Sequence, residues 1–335
     1  MTADQYALSA NGLRALSDLT TPMAVRVAAT LHLADHLTEG RQNSAELANV
    51  LGVDSEVLGR LLQHLQQVGV VQQDEAQRFH LTSTGEALRS DHPSSLRSSL
   101  DIEGPLGRAD LSLIHLLHSV RTGKAAFPLL YGADFWEDLA AHPGLAATFN
   151  HQMATYSSLS ADALVSAYDW GTFTHLIDVG GGNGRSLSAI LAEYPHLRGT
   201  VLDQSEAVKE ATARFTENGL ADRASAIVGD FFDELPAGAD SYLLSTILHD
   251  WDDTSARKIL RRCAQAAGPA GSVFVAEWAG PDVESRITDM DLRMLAYYGG
   301  RERGVPELTA LAKSIGLRVI STHSAGALIV MRLAR

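Results

Sequence analysis

Cysteine is almost absent from this chain. The single thiol in 335 residues, Cys263, has no internal partner, so a disulfide framework is excluded and the composition fits a reducing compartment. Positive charge is scarce: 27 Lys and Arg face 40 Asp and Glu, a net charge of −13, which argues against nucleic acid or an anionic membrane as a partner. No apolar run reaches the roughly 18 residues of a membrane span. The first residues show no charged-then-apolar leader, and a cytoplasmic, soluble protein is expected. With one cysteine, the 13 histidines have no Cys/His ligand set to join, so no metal is expected. Apolar residues make up 45% of the chain, enough for a substantial core in one large or two smaller domains.

The first third reads as helical. Residues 4–37 predict a helix, with LTTPMAVRVAATLHLADHL repeating apolar residues at three and four and Pro22 in the first turn. Ser44 and Asp54 are expected N-caps of two further helices, which Gly52 and Gly69 end. GVVQQD and RFHLT then pair as short strands, which completes a winged-helix pattern. A DNA reader needs several cations on its second helix, but SEVLGRLLQHLQQVG carries only Arg60. A dimerisation and packing module is the better reading. LTTPMAVRVAATLHLADHL is too apolar to face water, and it predicts a homodimer. Residues 95–167 are helical and irregular, rich in aromatics that form core or the flat wall of an aromatic substrate site.

From Gly171 short apolar runs alternate with helices. HLIDV, RGTVLD, ASAIVGD, SYLLSTI and GSVFVAEW predict five parallel strands of a doubly wound α/β sheet. LRVIST and ALIVMRL follow, joined by the short turn HSAG, so one of the two is expected to run antiparallel.

LIDVGGGNGRSLSAIL reads as strand, glycine turn, helix. Gly180, Gly182 and Gly184 let the backbone turn and approach a ligand, but Arg185 replaces the last glycine of a dinucleotide fingerprint. Asp178 would repel a pyrophosphate at the helix N-terminus and suits a ligand carrying an ammonium group, such as S-adenosylmethionine. Asp203 ends the second strand roughly 20 positions after the glycines, where an acid accepts ribose hydroxyls. Asp230 ends the third strand in GDFF, with its carboxylate placed for an adenine amino group and Phe231 for the ring face. Singly, such acids often only cap helices; together they mark one edge of the sheet.

These stretches, with STILHDWDD, AEW and GGRERG, make the sequence similar to class I S-adenosylmethionine-dependent O-methyltransferases of small phenols, over nearly the whole chain. DLRMLAYYGGRER most resembles bacterial enzymes acting on polyketide-derived aromatics such as hydroxynaphthoates. The resemblance implies a Rossmann-like sheet of order 3-2-1-4-5-7-6 behind a winged-helix-like dimerisation domain. The domains expected are 1–95 and 96–335, the latter divided into a helical substrate wall, 96–167, and the Rossmann-like core, 168–335.

The resemblance also assigns roles. His249 becomes the general base, with Glu277 and Glu302 beside it. Cofactor contacts fall on Gly180, Asp203, Asp230, Phe231, Ser245, Ser157 and Trp251, and substrate contacts on Asn150, Met153, Met294 and Tyr297. Ser245 stands where plant members often have lysine, and Gly304 where threonine is usual. S-adenosylhomocysteine is the expected product, without a metal. A phenol with a pKa of about 10 is a poor nucleophile at pH 7, and an imidazole that takes its proton is worth roughly 10²–10⁴-fold. Asp250, with Asp252 or Asp253, is expected to cap the helix DTSARKILRRCA, and Trp251 to pack by the adenine or the acceptor. Cys263 is expected in the core. The competing readings are a relative that uses the same cofactor for decarboxylation, hydroxylation or a pericyclic reaction, and a ligand-sensing regulator.

Overall fold

The computed structural model describes residues 12–280 and 282–335, and within the helix Pro143–Ala167 it leaves the side chains of residues 154–160 undescribed. The chain divides into two compact units between Leu111 and Ser112.

In the first unit the apolar stripe predicted as one long helix is broken. Asp18 accepts the backbone N–H groups of Thr20 and Thr21 and starts a helix at Thr20–Thr30, with Pro22 in its first turn. His32 is left-handed (φ 52°), and a second helix, Leu33–Thr38, begins after it. Residues 12–16 of the predicted span are also helical, and residues 4–11 lie outside the described residues. His32 and His36 stand on one helical turn, the N–H of His36 bonding His32 O at 3.2 Å, but their rings have separate partners. His32 pairs with Asp35 at 3.2 Å, and His36 meets Arg41 at 2.9 Å. Among the described residues no group of three or more His, Cys, Asp or Glu could hold a metal ion.

Asn43, one residue before the expected Ser44, caps Ser44–Leu51 by accepting the N–H of Glu46. Asp54 caps Ser55–Gln67 as expected. Leu58, Leu62 and Leu65 form that helix's buried stripe. Strands β1 (Val71–Gln73) and β2 (Phe79–Leu81) pair antiparallel behind it. Residues 97–111 pack on the same unit; the N–H of Ile102, for instance, bonds the Thr30 hydroxyl at 3.0 Å.

The second unit is built on β3 (His175–Val179), β4 (Arg198–Asp203), β5 (Ala224–Val228), β6 (Ser241–Ser245), β7 (Ser272–Trp278), β8 (Arg318–Ala325) and β9 (Leu328–Ala334). The sheet order is β5-β4-β3-β6-β7-β9-β8, with β9 antiparallel to both neighbours. This is the 3-2-1-4-5-7-6 order expected. The middle strands are covered on both faces, which is why they read as continuous apolar runs. Tyr242, Leu244, Val273 and Val275 point into one core with Cys263, while Leu243, Phe274 and Ala276 point into the other with Trp170. Each fully buried aliphatic side chain stabilises the sheet by about 2 kcal/mol. All five parallel strands end on one edge. The order reverses direction between β3 and β6, where the carboxyl ends open a crevice for a ligand. No described helix is long and apolar enough to cross a membrane.

Candidate active site

β6 leaves the core at Ser245, and the next residue is strained. Thr246 has φ 53°, a left-handed conformation that a β-branched residue rarely adopts. Its N–H bonds the Ala276 carbonyl at 2.8 Å and its hydroxyl bonds Ser245 O at 2.7 Å. The kink delivers a 3₁₀ turn, Leu248–Asp250, on the crevice edge. There His249 Nδ1 lies 3.3 Å from Glu277 Oε2 and 3.3 Å from Glu302 Oε1. Both glutamates are 2% exposed, so neither charge is hydrated by bulk water. Glu277 comes from the end of β7, and its other oxygen accepts the N–H of Leu248 at 2.9 Å.

The three residues expected to form the catalytic cluster are therefore together, and a fourth joins them. Asp250 does not cap the following helix. Its Oδ1 sits 3.4 Å from His249 Nε2. The cap is Asp252, which accepts the N–H of Ser255 at 2.7 Å, while Asp253 pairs with Arg303 at 2.9 Å. Nothing in the string HDWDD says which acid turns inward; the 3₁₀ turn decides it. Burial opposes a charge on His249, but the charges of Glu277, Asp250 and Glu302 outweigh it and hold the ring well above the usual imidazole range. Burial pushes Glu277 and Asp250 upward, against the pull of His249.

The glycine loop lies across the crevice. Gly180, Gly182 and Gly184 all have positive φ (74°, 57° and 72°). A Cβ at Gly180 would also stand 2.5 Å from the side-chain end of Ile247, which can yield, so the left-handed conformation is what demands glycine there. Asp178 is 1% exposed, and both its carboxylate oxygens lack a hydrogen-bond partner. Burial, aided by the charge of Asp203, pushes its carboxyl up to about 7. An orphaned buried carboxylate beneath a glycine turn fits a cationic ligand that brings its own donors. The chain itself uses Asp203: Oδ2 accepts the N–H of Gly182 at 2.8 Å and Oδ1 that of Gln204 at 2.6 Å. Each oxygen retains a second lone pair for a ligand. Asp230 is exposed and accepts the N–H of Phe232 at 2.8 Å. Phe231 flanks Gly180, and Trp251 packs edge-on against Phe231 and Phe232. Ser245 is half-buried at the strand end, and the Ser157 side chain lies outside the described residues.

An aromatic wall borders the cluster. Tyr298 stacks on Trp136 with ring centres 5.3 Å apart, and Phe135 and Phe149 close edge-on around Trp136. Burial first, then the charge of nearby Asp250, pushes the Tyr298 hydroxyl well above its ordinary range. The indole N–H of Trp136 is buried without a partner. Of the expected substrate residues, Met294 and Tyr297 are buried on the helix Thr288–Tyr298, which ends beside the cluster, and the Met294 carbonyl accepts the N–H of Gly300 at 3.0 Å. Asn150 and Met153 are half-buried and follow Phe149 on the helix Pro143–Ala167.

Residues 113–318 match an O-methyltransferase domain and residues 13–91 an O-methyltransferase dimerisation domain. This chain belongs to the O-methyltransferase family. It is 49% identical over 312 residues to 2,7-dihydroxy-5-methyl-1-naphthoate 7-O-methyltransferase of Streptomyces carzinostaticus, covering 93% of this chain and 94% of that protein. It is 43% identical over 322 residues to an aclacinomycin 10-hydroxylase of Streptomyces purpurascens, covering 94% of this chain and 86% of that protein. The crystal structure of an O-methyltransferase from neocarzinostatin biosynthesis, in complex with S-adenosylmethionine and 2-hydroxy-5-methyl naphthoic acid, superposes with a TM-score of 0.91 at 47% identity. That match covers 96% of this chain and 98% of the other. The family's fold is thus the fold described above.

Proposed function

We propose that this O-methyltransferase methylates a phenolic hydroxyl of an aromatic, polyketide-like acceptor such as a hydroxynaphthoate, with His249 receiving the phenol proton. The observation that carries the reading is the ring of His249 held between two buried glutamates on the crevice edge, opposite a glycine loop with an orphaned carboxylate. When bound, S-adenosylmethionine supplies a methyl group already activated by its sulfonium. Asp178 would hold the ligand's positive charge, Asp203 its ribose hydroxyls, and Asp230 with Phe231 its adenine. Glu277 and Glu302 orient the ring through Nδ1 and stabilise it when charged, so the acceptor approaches on the Nε2 side, which Asp250 shares. Reaction requires one proton fewer than imidazolium plus phenol, so either the ring starts neutral or the phenol arrives ionised.

The wall of Phe135, Trp136, Phe149 and Tyr298 suits a flat acceptor. The unpartnered indole N–H of Trp136 suits one with a carbonyl or carboxylate beside its rings. One relative is named as a hydroxylase, and the presence of His249 with both glutamates is what favours methyl transfer here. The dimerisation domain supports a homodimer. The acidic charge and the single thiol suit the cytoplasm, without nucleic acid or membrane as partner.

The test is incubation with S-adenosylmethionine and a panel of hydroxynaphthoates and simple phenols. The expected outcome is a mass gain of one methyl group on the acceptor and an equal amount of S-adenosylhomocysteine. Acceptor consumed with a hydroxyl added or a carboxyl lost, and no methyl gained, would sink the proposal.

A further inference from the structure

We propose that Arg303 is a positioning residue of the catalytic cluster: its guanidinium fastens the segment carrying Glu302 to the turn carrying His249, and so sets the spacing between that carboxylate and Nδ1. Arg303 is 3% exposed. Nη1 donates to Leu248 O at 2.7 Å and to Arg301 O at 3.1 Å. Nη2 donates to Trp251 O at 2.8 Å and to Asp253 Oδ1 at 2.9 Å, and Nε donates to Asp253 Oδ1 at 3.1 Å. The carbonyls of Leu248 and Trp251 bracket His249 and Asp250 in sequence. One planar fork thus grips both ends of the catalytic turn while its own backbone follows directly on Glu302.

Two further contacts belong to the same junction. The N–H of Arg301 donates to His249 O at 2.8 Å. At Gly300 a Cβ would stand 2.3 Å from His249 O, so only glycine lets the segments approach this closely. On its other side the Glu302 N–H is held by Asp291 Oδ1 at 3.0 Å. A buried guanidinium is costly unless every donor direction is used, and these donors are directed at the turn, at Arg301 and at Asp253, none at Glu277 or Glu302. Its action on the ring is therefore geometric. Lysine keeps the charge but has no fork.

The charged and titratable groups around His249 come from four elements: Asp250 on its own turn, Glu277 from β7, Glu302 from the segment after Gly300, and Tyr298 from the helix before it. If the junction opens, Glu302 is the one whose distance changes. The ring then loses part of the carboxylate charge that holds its titration high.

The proposal rests on His249 being the base, and its test has one readout independent of methyl transfer. The His249 ring is titrated by NMR in the protein without cofactor, its resonance identified by loss in His249→Gln. Arg303→Lys should lower the ring pKa by about one unit, and Gly300→Ala, which wedges the same junction from the other side, should move it in the same direction. Single-turnover kcat should fall roughly tenfold in Arg303→Lys, with affinity for S-adenosylmethionine unchanged. A ring pKa equal to wild type in both variants overturns the proposal, even if kcat falls, because a merely structural role would lower activity without moving the titration. If Arg303→Lys fails to fold, the titration of Gly300→Ala decides. Wild-type enzyme that methylates no phenol counts against the proposed reaction, and the ring titration still decides the role of Arg303.

Discussion

The Nε2 of His249 stands 3.4 Å from Oδ1 of Asp250, so both nitrogens of the ring face carboxylates. An acceptor hydroxyl must enter on the side that Asp250 occupies. Asp250→Asn removes one of the charges that keep the ring protonated. The rising limb of kcat/KM against pH should then move to lower pH, toward the ordinary imidazole value of about 6.5. A stopped-flow pH profile of variant beside wild type measures this, and superimposable limbs would remove Asp250 from the proton's path.

His249→Ala removes the base. With the ring titrating above its usual range, wild-type kcat/KM should keep climbing with pH beyond neutrality, because the productive complex carries one proton fewer than imidazolium plus phenol. The variant should lose roughly 10²–10⁴ in kcat near neutral pH. The deficit should shrink as the phenol ionises unaided near pH about 10. A loss under about tenfold with parallel profiles would leave His249 as a wall of the pocket.

Glu277→Gln and Glu302→Gln should each cost less than His249→Ala, since either glutamate alone can still orient Nδ1 from 3.3 Å. The double variant should approach the His249→Ala rate, as expected of groups that act as one unit. Strictly additive losses under single-turnover conditions would show two independent roles.

Asp203 holds the glycine loop as well as facing the crevice, through its bond to the Gly182 N–H. Asp203→Ala should therefore weaken S-adenosylmethionine at least about tenfold, the equivalent of one lost charge-assisted hydrogen bond. Asp203→Asn keeps one carbonyl oxygen for the loop and should lose less. Calorimetric affinities equal to wild type in the alanine variant would exclude the acid from the cofactor site.

Much of this was legible in the sequence because it is local. The continuous apolar runs of β6 and β7, the glycines after Val179 and the His249 motif all sit within a few residues of the strands that place them. What was not legible depends on distant contacts or on one backbone angle. Nothing local marks Arg303 as buried, yet carbonyls some 50 positions earlier in the chain hold it. Thr246 gives no hint of a left-handed φ, since its side chain favours extended backbone. Asp250 looked like a cap because acids before a helix usually are, and only the direction of the 3₁₀ turn reveals otherwise. The stack of Trp136 on Tyr298 joins two helices far apart in the chain, a pairing no periodicity encodes.

The buried carboxylate of Asp178 makes stability and ligand binding oppose each other. Its pKa is about 7 in the folded chain against an ordinary 3.8. A raised folded pKa means that the native state holds the proton more tightly than the unfolded chain. The group's contribution is therefore fully present below pH about 4 and is lost as pH rises through about 7. The loss amounts to about 4 kcal/mol once both states are ionised, at 1.36 kcal/mol per unit. Asp178→Asn escapes it. Without ligand, the variant should melt several degrees above wild type at pH 8, and the gap should narrow by at least half at pH 5. Saturating S-adenosylmethionine should reverse the order at pH 8, because the ionised carboxylate then gains the ligand's positive charge and binding stabilises the native state. Thermal melts with and without ligand at both pH values test each half separately. A variant no more stable than wild type at pH 8 would mean that Asp178 is ionised and satisfied in the empty site. A variant that binds S-adenosylmethionine as tightly as wild type would mean that the carboxylate does not face the ligand's charge.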